Sequence, residues 1–172
     1  SLVSGDYKEY FDYDHFISRE QYIKDLLSAP HDRKAQIINF NINYVDDRFA
    51  KTITKIYSKM LFNYSKELKV RASIPFHIVL EEAHRYVQND NDVNLLGYNI
   101  FDRITKEGRK YGVLLGLISQ RPSELSDTSI SQCSNFLIFN ILHPADLNYI
   151  KSMVPNVSEE IIKKLKTLQS GN

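Results

Sequence analysis

Two adjacent glutamates, Glu81 and Glu82, follow a short apolar run in the stretch FHIVLEEAHRYV, residues 76–87. The run has the length of a buried strand, so the acids stand at its carboxyl end. Carboxylates placed there can hold Mg²⁺ through water and can take a proton from a water that attacks a phosphate. Neighbouring side chains on a strand point to opposite faces, so the two acids can share this work only if the chain bends. The alternative is a helix N-terminus, where the macrodipole favours acids.

Polar residues also flank the next apolar run, VLLGLIS. Ser119 and Gln120 end it, and a side chain such as Gln120 can touch both an attacking water and a terminal phosphate. Functional groups gather at the carboxyl ends of parallel strands, so we expect Gln120 to lie beside the glutamates. Considered alone, Gln120 is better explained as a turn residue before Pro122.

A guanidinium precedes the same strand in KEGRKYG, where Arg109 stands near the end of a predicted helix. Arginine can neutralise charge on a transferring phosphoryl group, often from a neighbouring subunit. The alternative is a cation that interacts favourably with the helix dipole. His77 and His84 are separated by a change from strand to helix, so they do not form an H-E-x-x-H zinc pair, and we expect a structural or coupling role for His84.

The elements that must position these residues alternate between apolar strands and amphipathic helices. This alternation predicts an α/β fold with a parallel sheet covered on both faces. Helix starts are indicated by Ser18 with Gln21 in a capping box, by Asp46 or Asp47, and by Ser158. The predicted strands are residues 35–42, 76–80, 113–119 and 135–142. The predicted helices are residues 18–27, 47–68, 144–153 and 158–168. A further predicted helix carries Leu96, Ile100 and Ile104 and ends near Gly108 or Gly112.

Composition sets few limits on function. The chain has 172 residues, of which 42% are hydrophobic, and its net charge is +1. Such a net charge neither favours nor excludes nucleic acid as a binding partner. The single cysteine, Cys133, excludes an internal disulfide and a cysteine metal cluster. No apolar run approaches the ~20 residues of a membrane span, and no signal peptide is evident, so we expect a cytoplasmic protein without membrane partners. The chain begins without Met and stops after a basic helical stretch, from which we expect a piece of a longer protein.

Three segments together resemble one family: IVLEEAHRYV, IFDRITKEGRKYGVLLGLISQRPSEL and ISQCSNFLIFNI. In order and spacing they are similar to the HerA-type ATPases, relatives of FtsK in the additional-strand RecA-like group. The resemblance covers roughly Ala35 to Met153. It implies the C-terminal part of a RecA-like core at residues 35–154. The residues themselves predict a peripheral helical extension at residues 1–34 and a C-terminal helix at residues 155–172.

The resemblance also implies roles for individual residues. Glu81 would hold Mg²⁺ through water, Glu82 would be the catalytic glutamate, and Gln120 would be the sensor. Arg109 would act as an arginine finger across a subunit interface. The cofactors implied are ATP and Mg²⁺, and the partners are double-stranded DNA, further copies in a hexameric ring and a nuclease or other effector.

One departure from the family pattern is large, because no G-x-x-x-x-G-K-[ST] loop occurs among these residues. The phosphate cradle, its lysine and the strand that carries them are therefore expected outside this chain, which leaves the RecA-like sheet incomplete. Alone, the chain is expected to bind ATP poorly and to hydrolyse none. A smaller departure is Glu81, where many such motifs have Asp.

Two other interpretations stay open. The letters EEAH resemble the DEAH of another helicase class, but the Ser-Ala-Thr-like motif and the Q-x-x-G-R-x-G-R motif of that class do not follow Glu82. A non-catalytic RecA-like module, kept for partner binding or assembly, is consistent with the missing phosphate loop.

Overall fold

A computed structural model of the chain describes residues 17–29, 33–34, 37–42, 44–88 and 98–168. The chain separates into two compact units, residues 1–41 and residues 42–172. The division predicted at residues 34 and 154 stays a prediction. None of the helices in the described ranges is both long enough and apolar enough to cross a membrane.

In its described residues, the first unit contains one helix and a pair of two-residue strands. Helix α1 spans Arg19–Leu27, and the Ser18 hydroxyl accepts the N–H of Gln21 at 3.1 Å, which confirms the predicted cap. The Gln21 side chain donates one turn forward to Asp25, at 2.7 Å, so the prediction that Gln21 completes a capping box with Ser18 is wrong. Strands β1 (Ser28–Ala29) and β2 (Arg33–Lys34) then pair antiparallel.

A parallel pair of strands organises the second unit. Strand β3 (Phe76–Leu80) pairs with β4 (Val113–Leu117), with Phe76 opposite Val113 and Leu80 opposite Leu117. Both strands were predicted from their apolar runs, and their parallel pairing gives an α/β unit with flanking helices. The helices are α2 (Asp47–Glu67), α3 (Ile100–Glu107), α4 (Asp127–Ser131), α5 (Pro144–Met153) and α6 (Glu159–Thr167), with N-caps Asp46, Asn99, Ser126, His143 and Ser158.

Among the described residues, the sheet is covered on one face only. Phe76, Leu80 and Val113 are buried, and the ring of Tyr64 on α2 meets that of Phe76 edge to face. Side chains that alternate with them are exposed, Val79 by 61% and Leu114 by 45%. The prediction of burial on both faces is therefore wrong at these positions.

Two predicted strands are not strands in the described residues. Residues 37–42 and 135–142 carry no strand pairing, and Ile37 and Leu137 are 91% and 84% exposed. Their apolar composition suits a buried strand, but a strand exists only where a neighbour takes up its backbone hydrogen bonds. Residues 35 and 36, and Leu96 of the predicted helical stripe, lie outside the described residues.

A smaller apolar cluster joins the last two helices. Leu147 of α5 packs with Ile162 and Leu165 of α6, and half-buried neighbours complete the cluster: Ile138, Ile141, Val157 and Leu168. The predicted C-terminal helix is thereby attached to α5.

A buried polar network ties three segments of the second unit together. The hydroxyls of Ser126 and Ser129 both donate to Oδ1 of Asp102 on α3, at 2.7 Å and 2.6 Å. The N–H of Ser126 donates to the carbonyl of Val87 at 2.9 Å. Both serines are fully buried, so their hydroxyls need this carboxylate as a partner.

Replacing Asp102 with Ala should destabilise the chain by about 2–4 kcal/mol, because two buried hydroxyls would lose their acceptor at once. The free energy of unfolding is measured by urea denaturation of the 172-residue chain. Lys106→Ala is the matched control, since Lys106 is exposed on the same helix and should change stability by less than ~0.5 kcal/mol. Equal losses in the two variants would contradict a structural role for the network.

Candidate active site

The chain bends sharply directly after β3. Glu82 adopts a left-handed backbone conformation, with φ 50° and ψ 45°. The N–H of Ile118 donates to the carbonyl of Leu80 at 2.9 Å, and the N–H of Ala83 donates to the carbonyl of Ile118 at 2.8 Å. These two bonds hold the bend in place. The sequence requires a bend at this point if the two adjacent acids are to have separate roles. A left-handed non-glycine residue costs about 1–2 kcal/mol, so the two hydrogen bonds must offset that strain.

The bend brings Glu82 to the neighbouring strand end. Nε2 of Gln120 donates to Oε1 of Glu82 at 3.0 Å. The predicted meeting of these two side chains at the carboxyl end of the sheet is therefore observed, whereas their catalytic and sensor roles stay predictions. The Glu82 side chain is 39% exposed, so its carboxylate remains accessible from solvent.

A second group holds the other oxygen of Glu82. Nδ1 of His84 lies 3.4 Å from Oε2 of Glu82 and 3.2 Å from Oγ of Ser119. Oγ of Ser119 also accepts the N–H of Arg121 at 3.0 Å. The sequence indicated a structural or coupling role for His84 but did not identify these partners.

Glu81 is exposed at the end of β3. Its carboxylate is the oxygen ligand that Mg²⁺ prefers, and Mg²⁺ commonly takes only one or two carboxylates together with waters and phosphates. Across the described ranges, no three His, Cys, Asp or Glu side chains are grouped to hold a metal ion by themselves. The donor set thus suits a metal that arrives with a nucleotide.

Arg109 lies away from these residues. It is exposed in the 3-10 turn Gly108–Tyr111, which precedes the amino end of β4, whereas Gln120 follows the carboxyl end. The five residues of β4 place these ends about 16 Å apart. The structure therefore does not bring Arg109 together with Glu82 within one chain. The action of Arg109 across a subunit interface stays a prediction.

The local structure explains why both glycines of EGRKYG are needed. A Cβ at Gly108 would lie 2.3 Å from the carbonyl oxygen of Val113, which no side chain could accommodate. Gly112 has φ +75°, a conformation that favours glycine. Close packing of α3 against β4 thus explains this part of the motif, and Arg109 itself faces solvent.

Two arginines beside the glutamates are each held by a different acid. Arg85 pairs with Asp47 of α2, and this hydrogen bond raises the pKa of Arg85. Arg121 donates to Glu124 at 2.9 Å, which raises the pKa of Arg121. The charge of Glu82 also raises the pKa of both arginines, but less than the paired acid does.

The chain is similar to several archaeal proteins. It is 33% identical over 135 residues to a DNA double-strand break repair helicase HerA of Sulfurisphaera tokodaii, a match covering 76% of this chain and 27% of that protein. It is 39% identical over 123 residues to a probable helicase, MJECL08, of Methanocaldococcus jannaschii, covering 72% of the chain and 23% of the relative. The HerA helicase of Saccharolobus solfataricus is 29% identical over 166 residues, 92% of the chain and 33% of the relative.

Solved structures share the fold, among them a viral ATPase. B204, the DNA-packaging ATPase from Sulfolobus Turreted Icosahedral Virus, superposes with a TM-score of 0.56 over 98% of this chain and 69% of that chain, at 19% identity. No protein-family model matches. The chain spans a quarter to a third of the length of these curated relatives. A HerA helicase that is 33% identical over three quarters of this chain shows that the chain belongs to the HerA-type ATPase family.

Proposed function

We propose that this chain carries the acidic and sensor positions of an Mg²⁺-ATP site in a HerA-type translocase that moves double-stranded DNA. The observation that carries the proposal is the hydrogen bond between Glu82 and Gln120, which joins the carboxyl ends of two adjacent parallel strands. DNA as the substrate is supported by the relatives, which are DNA repair helicases.

Each site residue has a distinct part in this proposal. Bound Mg²⁺-ATP would supply a metal-polarised terminal phosphate as the reacting group. Glu81, exposed at the strand end, would hold the metal through water. Glu82 would orient the attacking water and accept its proton, because a carboxylate has about four acceptor sites and the bond from Gln120 uses only one. Gln120 would sense whether the terminal phosphate is present by exchanging its hydrogen bond to Glu82.

The remaining parts of the site would come from other polypeptide. A phosphate-binding loop is absent from these 172 residues, and we propose that it is supplied outside them. Arg109, at the far end of β4, would reach the site of a neighbouring copy in a hexameric ring. A nuclease or another effector would act with such a ring.

A second candidate function is a non-catalytic RecA-like module used for partner binding or assembly. The observation that favours it is the same absence of G-x-x-x-x-G-K-[ST] from the sequence. Glu82 and Gln120 favour the motor, because two polar side chains that meet at a strand end have no evident purpose in a module that only binds a partner.

Replacing Glu82 with Gln in the intact protein should lower ATP hydrolysis by at least ~10²-fold, because the group that accepts the proton is lost. Nucleotide affinity should stay within about threefold, since the amide keeps the size and polarity of the side chain. Phosphate release and equilibrium nucleotide binding are measured on the same preparation. Glu160→Gln, an exposed position on α6, is the matched control and should hydrolyse ATP normally. Normal hydrolysis by Glu82→Gln would refute the catalytic assignment.

Replacing Arg109 with Ala should lower hydrolysis by ~10³-fold or more without unfolding the subunit, because the lost guanidinium is exposed. The measurement is steady-state phosphate release, with thermal unfolding of the same sample as the folding check. Lys110→Ala removes the adjacent exposed charge and is the control.

Mixed rings test whether Arg109 acts between copies. Rings assembled from Arg109→Ala and Glu82→Gln subunits should recover part of the activity, because some interfaces would then combine an intact Glu82 with an intact Arg109. Mixed rings as inactive as either parent would argue against action across the interface.

A further inference from the structure

The ring of His84 lies between the ends of both strands of the site. Its Nδ1 is 3.4 Å from Oε2 of Glu82, which follows β3, and 3.2 Å from Oγ of Ser119, which follows β4. The side chain is only 16% exposed, so the ring is confined in this position. None of the roles assigned above to Glu81, Glu82, Gln120 and Arg109 uses it.

The partners of Nδ1 decide which atom carries the proton. A carboxylate oxygen can only accept a hydrogen bond, and Oγ of Ser119 has a second acceptor site besides the one that receives the N–H of Arg121. An Nδ1 that carries hydrogen satisfies both neighbours. An Nδ1 with a lone pair would instead face the carboxylate as a second acceptor.

We infer that His84 is a positioning residue, whose Nδ1–H holds Oε2 of Glu82 so that Oε1 is presented to Gln120. This inference rests on the proposed function, because it assigns the orientation of the proposed catalytic carboxylate. Glu82 has several rotatable side-chain bonds, and the hydrogen bond from Gln120 to one oxygen together with the 3.4 Å contact of Nδ1 with the other restricts their rotation. Residues that orient a functional side chain in this way commonly change activity or affinity by ~10–100-fold.

The bend itself does not depend on the ring of His84. The N–H of Ala83 is bound to Ile118, the N–H of Arg85 to the carbonyl of Glu82 at 2.9 Å, and the N–H of Val87 to the carbonyl of Ala83 at 2.8 Å. The Arg85 side chain is fixed by Asp47. Loss of the imidazole should therefore release the carboxylate while the backbone around it stays folded.

The proton on His84 can be observed in the 172-residue chain without nucleotide. Long-range ¹H–¹⁵N NMR spectra distinguish a ring with hydrogen on Nδ1 from one with hydrogen on Nε2 alone. We expect hydrogen on Nδ1 of His84 in the unmodified chain. In Glu82→Ala we expect the ring to change to the Nε2–H form, because the Ser119 hydroxyl can then donate to Nδ1. His77 and His143 are the internal controls and should not change.

Two spectroscopic results would overturn the inference. An Nδ1 without hydrogen in the unmodified chain could not donate to Glu82. An Nδ1–H that persists in Glu82→Ala would show that Ser119, and not the carboxylate, determines the state of the ring.

Kinetics of the intact protein provide the second test. His84→Ala should lower kcat for ATP hydrolysis by ~10–100-fold and leave KM within about twofold, because orientation and not nucleotide binding is lost. His84→Asn should recover part of kcat, since its amide N–H can donate in place of Nδ1. His77→Ala, on the exposed side of β3, is the control. Equal loss of kcat in the Ala and Asn variants would reject a positioning role.

Failure of this inference is distinguishable from failure of the proposed function. Normal hydrolysis by Glu82→Gln would refute the catalytic assignment whatever the state of the His84 ring. A ring with hydrogen only on Nε2, combined with an inactive Glu82→Gln protein, would refute only the role of His84.

Discussion

The backbone of Ile118 is the constraint on which the candidate site depends. Its N–H binds the last carbonyl of β3, and its carbonyl binds the N–H of Ala83, so one residue holds both ends of the two-residue excursion formed by Glu81 and Glu82. If β3 simply continued, the two acids would point to opposite faces of the sheet. The two hydrogen bonds permit the left-handed backbone at Glu82, and that conformation directs its side chain to Gln120. Polar side chains therefore converge at the carboxyl ends of the two hydrogen-bonded strands.

The starts of three helices were predictable because they are decided locally, whereas α4 (Asp127–Ser131) was not predicted. Ser18, Asp46 and Ser158 each accept a backbone N–H of their own first turn, and the helices begin where these residues indicated. The two paired strands were also predictable as apolar runs. Residues 37–42 and 135–142 have similar composition without being strands, because strand formation depends on a partner elsewhere, which a local apolar pattern cannot reveal.

The candidate site was predictable only in part, for a related reason. The rule that polar groups meet at the carboxyl ends of parallel strands was sufficient to place Glu82 beside Gln120. It could not reveal that His84 reaches Ser119, because that contact depends on the left-handed bend at Glu82. The network around Asp102 was equally hidden, since its serine partners lie 24 and 27 positions away in the sequence.

The hydrogen bonds that support the site lead to two different helices. On the Gln120 side, the N–H of Ser123 donates at 3.0 Å to Asp146, a buried carboxylate in the first turn of α5. On the Glu82 side, Val87 is bound to Ser126, which is bound in turn to Asp102 of α3.

A displacement of Gln120 would therefore act on α5, and a displacement of the turn after Glu82 would act on α3. Leu147 packs α5 against α6, so these two helices are expected to move together. Because Asp146 is buried, breaking the bond from Ser123 would remove a hydrogen bond from its carboxylate and leave the contact with Nδ1 of His143, at 3.6 Å, and such a loss is costly. We therefore expect a displacement at the proposed phosphate sensor to be accompanied by a movement of α5 and α6 relative to the sheet.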